Sequence, residues 1–252
     1  MKLPVVRGII DRRILVNFHV DPAILAPLLP APFRPKIIHG VGMVGICLIR
    51  LKQIRPTFVP SWLGISSENA AHRTAVEWDD NGTVREGVHV RRRDTNSWLN
   101  SLVGGRLFPG IHHHAKFTVE ETPDHYAVAL RSDDGVVSMS VRGHPTDRLP
   151  ASSVFRSREE ASAFFEAGSL GYSDTPTPGR FQGLELRCLN WQVTPLHVEE
   201  VYSSFFEDPS LFPRGSIEFD CALLMQGIAH EWHGQADLCC AVANPSVEAV
   251  PA

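Results

Sequence analysis

Residues 74–90 read Thr-Ala-Val-Glu-Trp-Asp-Asp-Asn-Gly-Thr-Val-Arg-Glu-Gly-Val-His-Val. Two runs with the composition of β-strands, Thr74 to Trp78 and Val84 to Val90, flank Asp79-Asp80-Asn81-Gly82. Asn and Gly tolerate the positive φ of a tight hairpin turn, so this stretch predicts two antiparallel strands. Upstream, Ile14 to Val20 and Gly40 to Arg50 are apolar runs that also predict strands. Three glycines in the second (Gly40, Gly42, Gly45) point to close packing or a bend. Between these strands Asp21 caps, and Pro22 opens, a short helix that ends before Pro30.

Downstream, a helix is predicted over Asp94 to Val103. Asp94 or Thr95 would cap it, Trp98, Leu99, Leu102 and Val103 form its apolar stripe, and Gly104-Gly105 stop it. A meander follows over His112 to Glu120, Tyr126 to Arg131 and Val136 to Arg142, turning at Thr122-Pro123-Asp124 and Asp133-Asp134-Gly135. Ser157 and Glu160 form a capping box for a helix ending near Gly168. Gly171 to Gly183, rich in Gly, Pro, Ser and Thr, reads as a flexible loop. Leu184 to Val193, Leu196 to Ser203 and Ser216 to Met225 alternate as strands, and the tail after Ala241 reads as frayed. One domain spanning 1–252, with its core over about 12–240, is expected, because neither half ends in a self-contained pattern.

The composition narrows the function classes. Hydrophobic residues at 43% and charged residues at 21% exclude wholesale disorder. A formal charge of -4, with no basic run longer than Arg91-Arg92-Arg93, argues against nucleic acid as a partner. No apolar run approaches the ~20 residues of a membrane span, so no membrane association is expected. Five scattered cysteines, an odd number, fit reduced thiols in a cytoplasmic protein.

Four polar clusters could carry chemistry. The first is Gly110-Ile111-His112-His113-His114-Ala115-Lys116. On a strand His112, His114 and Lys116 share one face, about 6.6 Å apart, and His113 takes the other. Two imidazoles so spaced can share a metal, a carboxylate or a water; a solvated strand start is the bland alternative. The second is Arg91-Arg92-Arg93-Asp94-Thr95-Asn96-Ser97, where alternation puts Arg91 with Arg93. It suits a small carboxylate or phosphate, or an internal Arg–Asp pair. Glu68, amid small uncharged residues, could act as an acid–base group or pair with an arginine. His230-Glu231-Trp232-His233 lacks the four-residue spacing of a zincin, and a site joining it to His112 and His114 finds no support in the spacing. Nucleophile-elbow, Walker and dinucleotide motifs are absent, so no cofactor is expected.

The order of these pieces resembles a known superfamily. Val20-Asp21-Pro22 and Leu28-Leu29-Pro30 precede Glu68, and Glu86-Gly87-Val88-His89-Val90 leads to Arg93-Asp94-Thr95-Asn96 and then Gly110 with its basic cluster. The chain is similar to acetoacetate decarboxylase, weakly, over Arg12 to Lys116. It is closer to the YqjF-like uncharacterised group, over Arg12 to His233. The most specific stretches are Ser67 to Arg73, Arg92 to Thr95 and Phe108 to His114. The resemblance implies a mainly β (α+β) fold: a closed antiparallel barrel or cone with short peripheral helices, an internal pocket, and homo-oligomeric assembly.

One departure is decisive for mechanism. Counted from Gly110, His113 stands where the decarboxylases carry their imine-forming lysine, and His114 where they carry its neighbour. An imidazole cannot form a protonated imine, so Schiff-base decarboxylation at His113 is excluded. Lys116 would replace that lysine only if a bulge reversed the strand parity. Glu68 matches a pocket glutamate of those enzymes. The expected function is therefore a small-molecule pocket for a carbonyl or carboxylate compound, with an enzyme as the first reading. His113, Glu68 and His114 would do acid–base chemistry, and Arg91, Arg93, Asp94, Asn96, His112 and Lys116 would bind ligand. A non-catalytic sensor on the same scaffold, or an interaction protein with surface salt bridges, are the alternatives.

Overall fold

The computed structural model describes residues 4–98 and 110–240. Its strands in chain order are β1 (Val6–Val20), β2 (Arg34–Pro35), β3 (Ile37–Ile38), β4 (Val41–Pro56), β5 (Ile65–Asp80), β6 (Thr83–Thr95), β7 (His112–Thr122), β8 (His125–Ser132), β9 (Ser138–Pro145), β10 (Leu170–Asp174), β11 (Arg180–Cys188), β12 (Thr194–Ser203), β13 (Ile217–Gly234) and β14 (Leu238–Cys239). Two described α-helices accompany them, α1 (Pro22–Leu25) and α2 (Arg158–Ala167).

Local chemistry accounts for the joints. Asp80 faces Thr83 across β5 and β6, leaving Asn81 and Gly82 as the turn with φ of 50° and 83°. Two successive positive φ values are what a strand-matched hairpin turn demands. The Asp21 carboxylate accepts the Ala23 N–H at 2.8 Å and starts α1. Ser157 Oγ accepts the Glu160 N–H at 3.1 Å and starts α2, which Gly168 ends.

The strands form one fourteen-stranded sheet in the order β14-β11-β10-β6-β7-β8-β9-β12-β13-β1-β4-β5-β2, with β3 paired to β4 off this path. Extra pairings of β5 with β6 and of β11 with β13 curl it into a ring. Strands β13, β1, β4, β5 and β6 thus belong to two circuits, one running through β7, β8, β9 and β12 and the other through β10 and β11. Side chains alternate across a strand, so the shared wall feeds a separate core on each side. Ile14, Val16, Leu48 and Ala70 join one core with Val128, Met139 and Phe206. Leu15, Cys47, Ile49 and Ala71 join the other with Phe164, Phe165 and Leu186. A smaller cluster of Phe33, Val76, Trp78, Tyr172 and Phe181 closes one end.

Three local expectations are corrected. Residues 171–183 are not a flexible loop: β10 runs parallel to β6, β11 pairs antiparallel with β10, and a short turn joins them. Glycine there makes room, since a Cβ on Gly183 would stand 2.8 Å from the Tyr172 ring. Asp94 and Thr95 continue β6 and do not cap a helix. The remainder of that predicted helix, and the frayed tail after Ala241, lie outside the described residues. Finally, Arg91 and Arg93 do not share a face. His72 pairs with Arg92 but Arg73 pairs with Val90, a bulge that leaves Arg91 unpaired and turns it outward.

Candidate functional site

The two sides of the shared wall hold very different polar groups. On the β7–β9 side, Arg12 is fully buried and its Nη2 lies 2.5 Å from Glu68 Oε2, with Glu121 at 3.2 Å from Nη1. Arg50 adds contacts to Asp11, Glu121 and Glu68. Burial raises the Glu68 pKa against the pull of Arg12. Asn96 ties this end together, accepting the Glu68 N–H at 2.9 Å and donating its own N–H back to the Glu68 carbonyl. Acids and guanidiniums here pair with one another, and among the described residues the one donor of Arg12 left without a partner is its buried Nε.

His113 lies on the same face as Glu68 but with other partners. Its Nδ1 is 3.2 Å from Asp134 Oδ2, and its side chain is 37% exposed. Arg92 bridges Asp134 and the fully buried Asp94, both at 2.9 Å. His114 pairs with Asp133 at 2.7 Å and stacks on Trp98 with ring centroids 3.9 Å apart. Lys116 is exposed. No hydrogen bond or ion pair joins Glu68 to His113 among the described residues.

On the β10–β11 side lies a cavity of about 120 Å³, walled by Val88, Val90, Leu184, Leu186 and Trp232 and edged by His112, Arg93 and Asp94. Three guanidiniums reach it: Arg13, Arg73 and Arg93. None has a carboxylate partner among the described residues. Arg13 donates to the sulfurs of Cys47 (3.2 Å) and Met225 (3.8 Å). Arg73 donates Nη2–H to Asn17 Oδ1 at 2.5 Å and lies over the Phe165 ring, while its Nε is buried and unpaired. Among the described residues Arg93 donates to Ser173 Oγ alone, at 3.1 and 3.0 Å. Burial pulls the Arg73 and Arg93 pKa values down to about 10, so both stay protonated at neutral pH.

His112 completes the rim. Burial first, and the Arg93 charge second, lower its pKa to about 4, so the ring is neutral. Its Nδ1 is 3.3 Å from the Gly110 carbonyl, which only accepts, so the proton sits on Nδ1 and Nε2 keeps its lone pair. Gly110 is required: φ is +90°, and a Cβ there would stand 2.7 Å from Ser173 Cβ, the residue that holds Arg93.

The expected ligand residues thus separate. Arg93, His112 and the edge of Asp94 meet at the cavity. Arg91 opens on an outer cleft with His89 and Asp174. Asn96, His114 and Lys116 do not line the cavity, and His113 and Glu68 lie on the opposite face of their strands. Arg13, Arg73 and Cys47 escaped the motif search, although an arginine interrupting an apolar strand, as in Ile9-Ile10-Asp11-Arg12-Arg13-Ile14-Leu15, signals a buried charge. Among the described residues no three His, Cys, Asp or Glu side chains are grouped to hold a metal ion. No described helix is long and apolar enough to cross a membrane.

Solved structures share the fold at low identity. An acetoacetate decarboxylase from Legionella pneumophila superposes with a TM-score of 0.57 at 11% identity, over 93% of this chain and 88% of its own. An acetoacetate decarboxylase-like enzyme from Sphingomonas wittichii gives 0.56 at 13%, over 94% and 92%. The enduracididine biosynthesis enzyme MppR, complexed with pyruvate, gives 0.56 at 12%, over 95% and 91%. No curated protein matches the chain in sequence. Residues 10–217 match DUF2071, described as "Uncharacterized conserved protein (COG2071)", and the chain belongs to that family.

Proposed function

We propose that the chain binds a small carboxylate, of the size and type of a 2-oxo acid, in the cavity lined by β1, β4, β5, β6, β7, β10, β11 and β13. One observation carries this reading. Three guanidiniums converge on a largely apolar cavity, and none of them has a carboxylate partner among the described residues, the one acid at its edge, Asp94, being paired with Arg92. A buried unpaired charge is costly, and a carboxylate meeting it would make charge-assisted hydrogen bonds. Size agrees, because a dry cavity of about 150 Å³ takes up benzene, so about 120 Å³ suits a ligand of a few carbons. The MppR structure, alike in fold, holds pyruvate.

His112 supplies the chemistry such a ligand would meet. A bound carboxylate offsets the Arg93 charge and raises the imidazole toward the range of a working base. Its lone pair could then take a proton from the carbon beside the ketone, without an imine. Among the described residues no lysine lines the cavity.

The test is thermal denaturation with pyruvate and with uncharged pyruvamide, followed by proton NMR of pyruvate in D2O. A rise in Tm with pyruvate alone supports the binding reading. Loss of the methyl signal, slowed in His112→Ala and not in His113→Ala, supports catalysis; binding without exchange makes the protein a sensor. No shift with any small carboxylate sinks the proposal. Assembly into an oligomer belongs to the same reading, with exposed Phe58, Trp62 and Leu63 as apolar contact surface, and light scattering measures it.

A further inference from the structure

Cys47 is the nucleophilic side chain of the cavity. It sits mid-strand on β4, 7% exposed, with Arg73 and Arg93 on the same lining. Arg13 aims its Nε–H at the sulfur from 3.2 Å. A thiol packed for volume alone would meet carbon on all sides; this one meets a guanidinium placed to hold charge developing on sulfur. The second observation is independent of the cysteine. Arg73 is also 7% exposed, lines the same cavity, and leaves its Nε without a partner. Arg73 and Cys47 line the same cavity, so a carboxylate held there by the guanidinium would lie in the same space as the thiol.

We propose that Cys47 bonds covalently and reversibly to the ligand, adding to the ketone carbon of a 2-oxo acid whose carboxylate is held by the arginines. This inference rests on the carboxylate reading above. The Cys47 sulfur forms a bond to the ketone carbon, the C=O π bond opens onto oxygen, and the thiol proton ends on that oxygen. The product is a thiohemiketal. Nothing is oxidised or reduced, and no group leaves. Arginines that hold the carboxylate place the neighbouring carbon near the thiol, which is the entropic advantage of a positioned reactant. The other cysteines lack this setting: Cys221 is wholly buried, and Cys188, Cys239 and Cys240 do not line the cavity.

Alkylation of the wild-type protein tests the site without relying on a variant's folding. Iodoacetate carries the carboxylate that the arginines would recognise, and iodoacetamide does not. Peptide mapping should show Cys47 modified about ten- to a hundredfold faster by iodoacetate, the factor that one charge-assisted hydrogen bond provides. Pyruvate should protect it, while exposed Cys239 shows no such preference. In parallel, pyruvate labelled with 13C at C2 should show, with wild type and not with Cys47→Ala, a new protein-bound tetrahedral carbon signal separate from that of free pyruvate hydrate. If pyruvate raises Tm equally in both proteins and no protein-bound tetrahedral carbon forms, the covalent step is overturned while the binding reading stands. If pyruvate does not bind and iodoacetate shows no preference, both fall together.

Discussion

His112 and His113 are adjacent residues that serve opposite faces of β7: the first rims the arginine-lined cavity, and the second turns to Asp134 with Nδ1 3.2 Å from its carboxylate. The parallel register fixes this, since Arg93 pairs with His112 and Asp94 with His113. The position matching the imine-forming lysine of the decarboxylases, His113, is therefore tied up in a salt-bridge cluster. Its neighbour has the access.

Arg93→Met separates binding from stability. Among the described residues the side chain donates to Ser173 Oγ alone and, partly buried, meets no acid. Removing an uncompensated charge relieves a folding cost, so Tm should hold or rise. Carboxylate affinity should fall about ten- to a hundredfold. Thermal denaturation and calorimetric titration of the same variant measure both, and a variant that unfolds early contradicts the account.

Glu68→Gln should act on stability first. It strips Arg12, fully buried, of its nearest carboxylate at 2.5 Å. Breaking a buried pair costs about 3–5 kcal/mol, and Glu121, still in reach of Arg12, should hold the loss to about 3 kcal/mol. Urea denaturation reads the difference. Unchanged stability with lost turnover would instead make Glu68 a catalytic acid.

Acid should unfold the protein through its buried histidines. Burial lowers the pKa of His72 to about 3 and of His230 to about 4, and both rings are almost wholly inaccessible. Their folded values lie below the unfolded value of 6.5, so the unfolded chain binds more protons as pH falls. The stability they contribute is complete above 6.5 and is lost progressively down to about 4 and about 3. Each histidine adds a slope of about 1.4 kcal/mol per pH unit inside its window. His72→Phe, which keeps the stacking on Phe205 and Phe206, should remove one such slope from the denaturation free energy measured between pH 6 and 4.5.

Much of the strand order was legible because its signals are local. Asn81-Gly82, the meander turns, Asp21-Pro22 and the Ser157 box each depend on a few consecutive residues, and each formed where their chemistry required. The 171–183 segment misled because its glycine and serine answer to cross-strand packing and a distant partner and not to a need for flexibility: Gly183 makes room for Tyr172 on the paired strand, and Ser173 accepts from Arg93.

The sequence by itself determined a β-rich chain with an acetoacetate decarboxylase-like fold, carrying basic clusters beside small-residue strands. Only the tertiary structure decided which arginines face a cavity and which face acids. Period-two alternation assigns residues to two faces but cannot say what either face meets. A bulge at Arg91 reverses the parity, and the ring closure of β5 on β6 and β11 on β13 gives each face its own interior. Both are set by pairing between distant segments, whose free energy no local window contains.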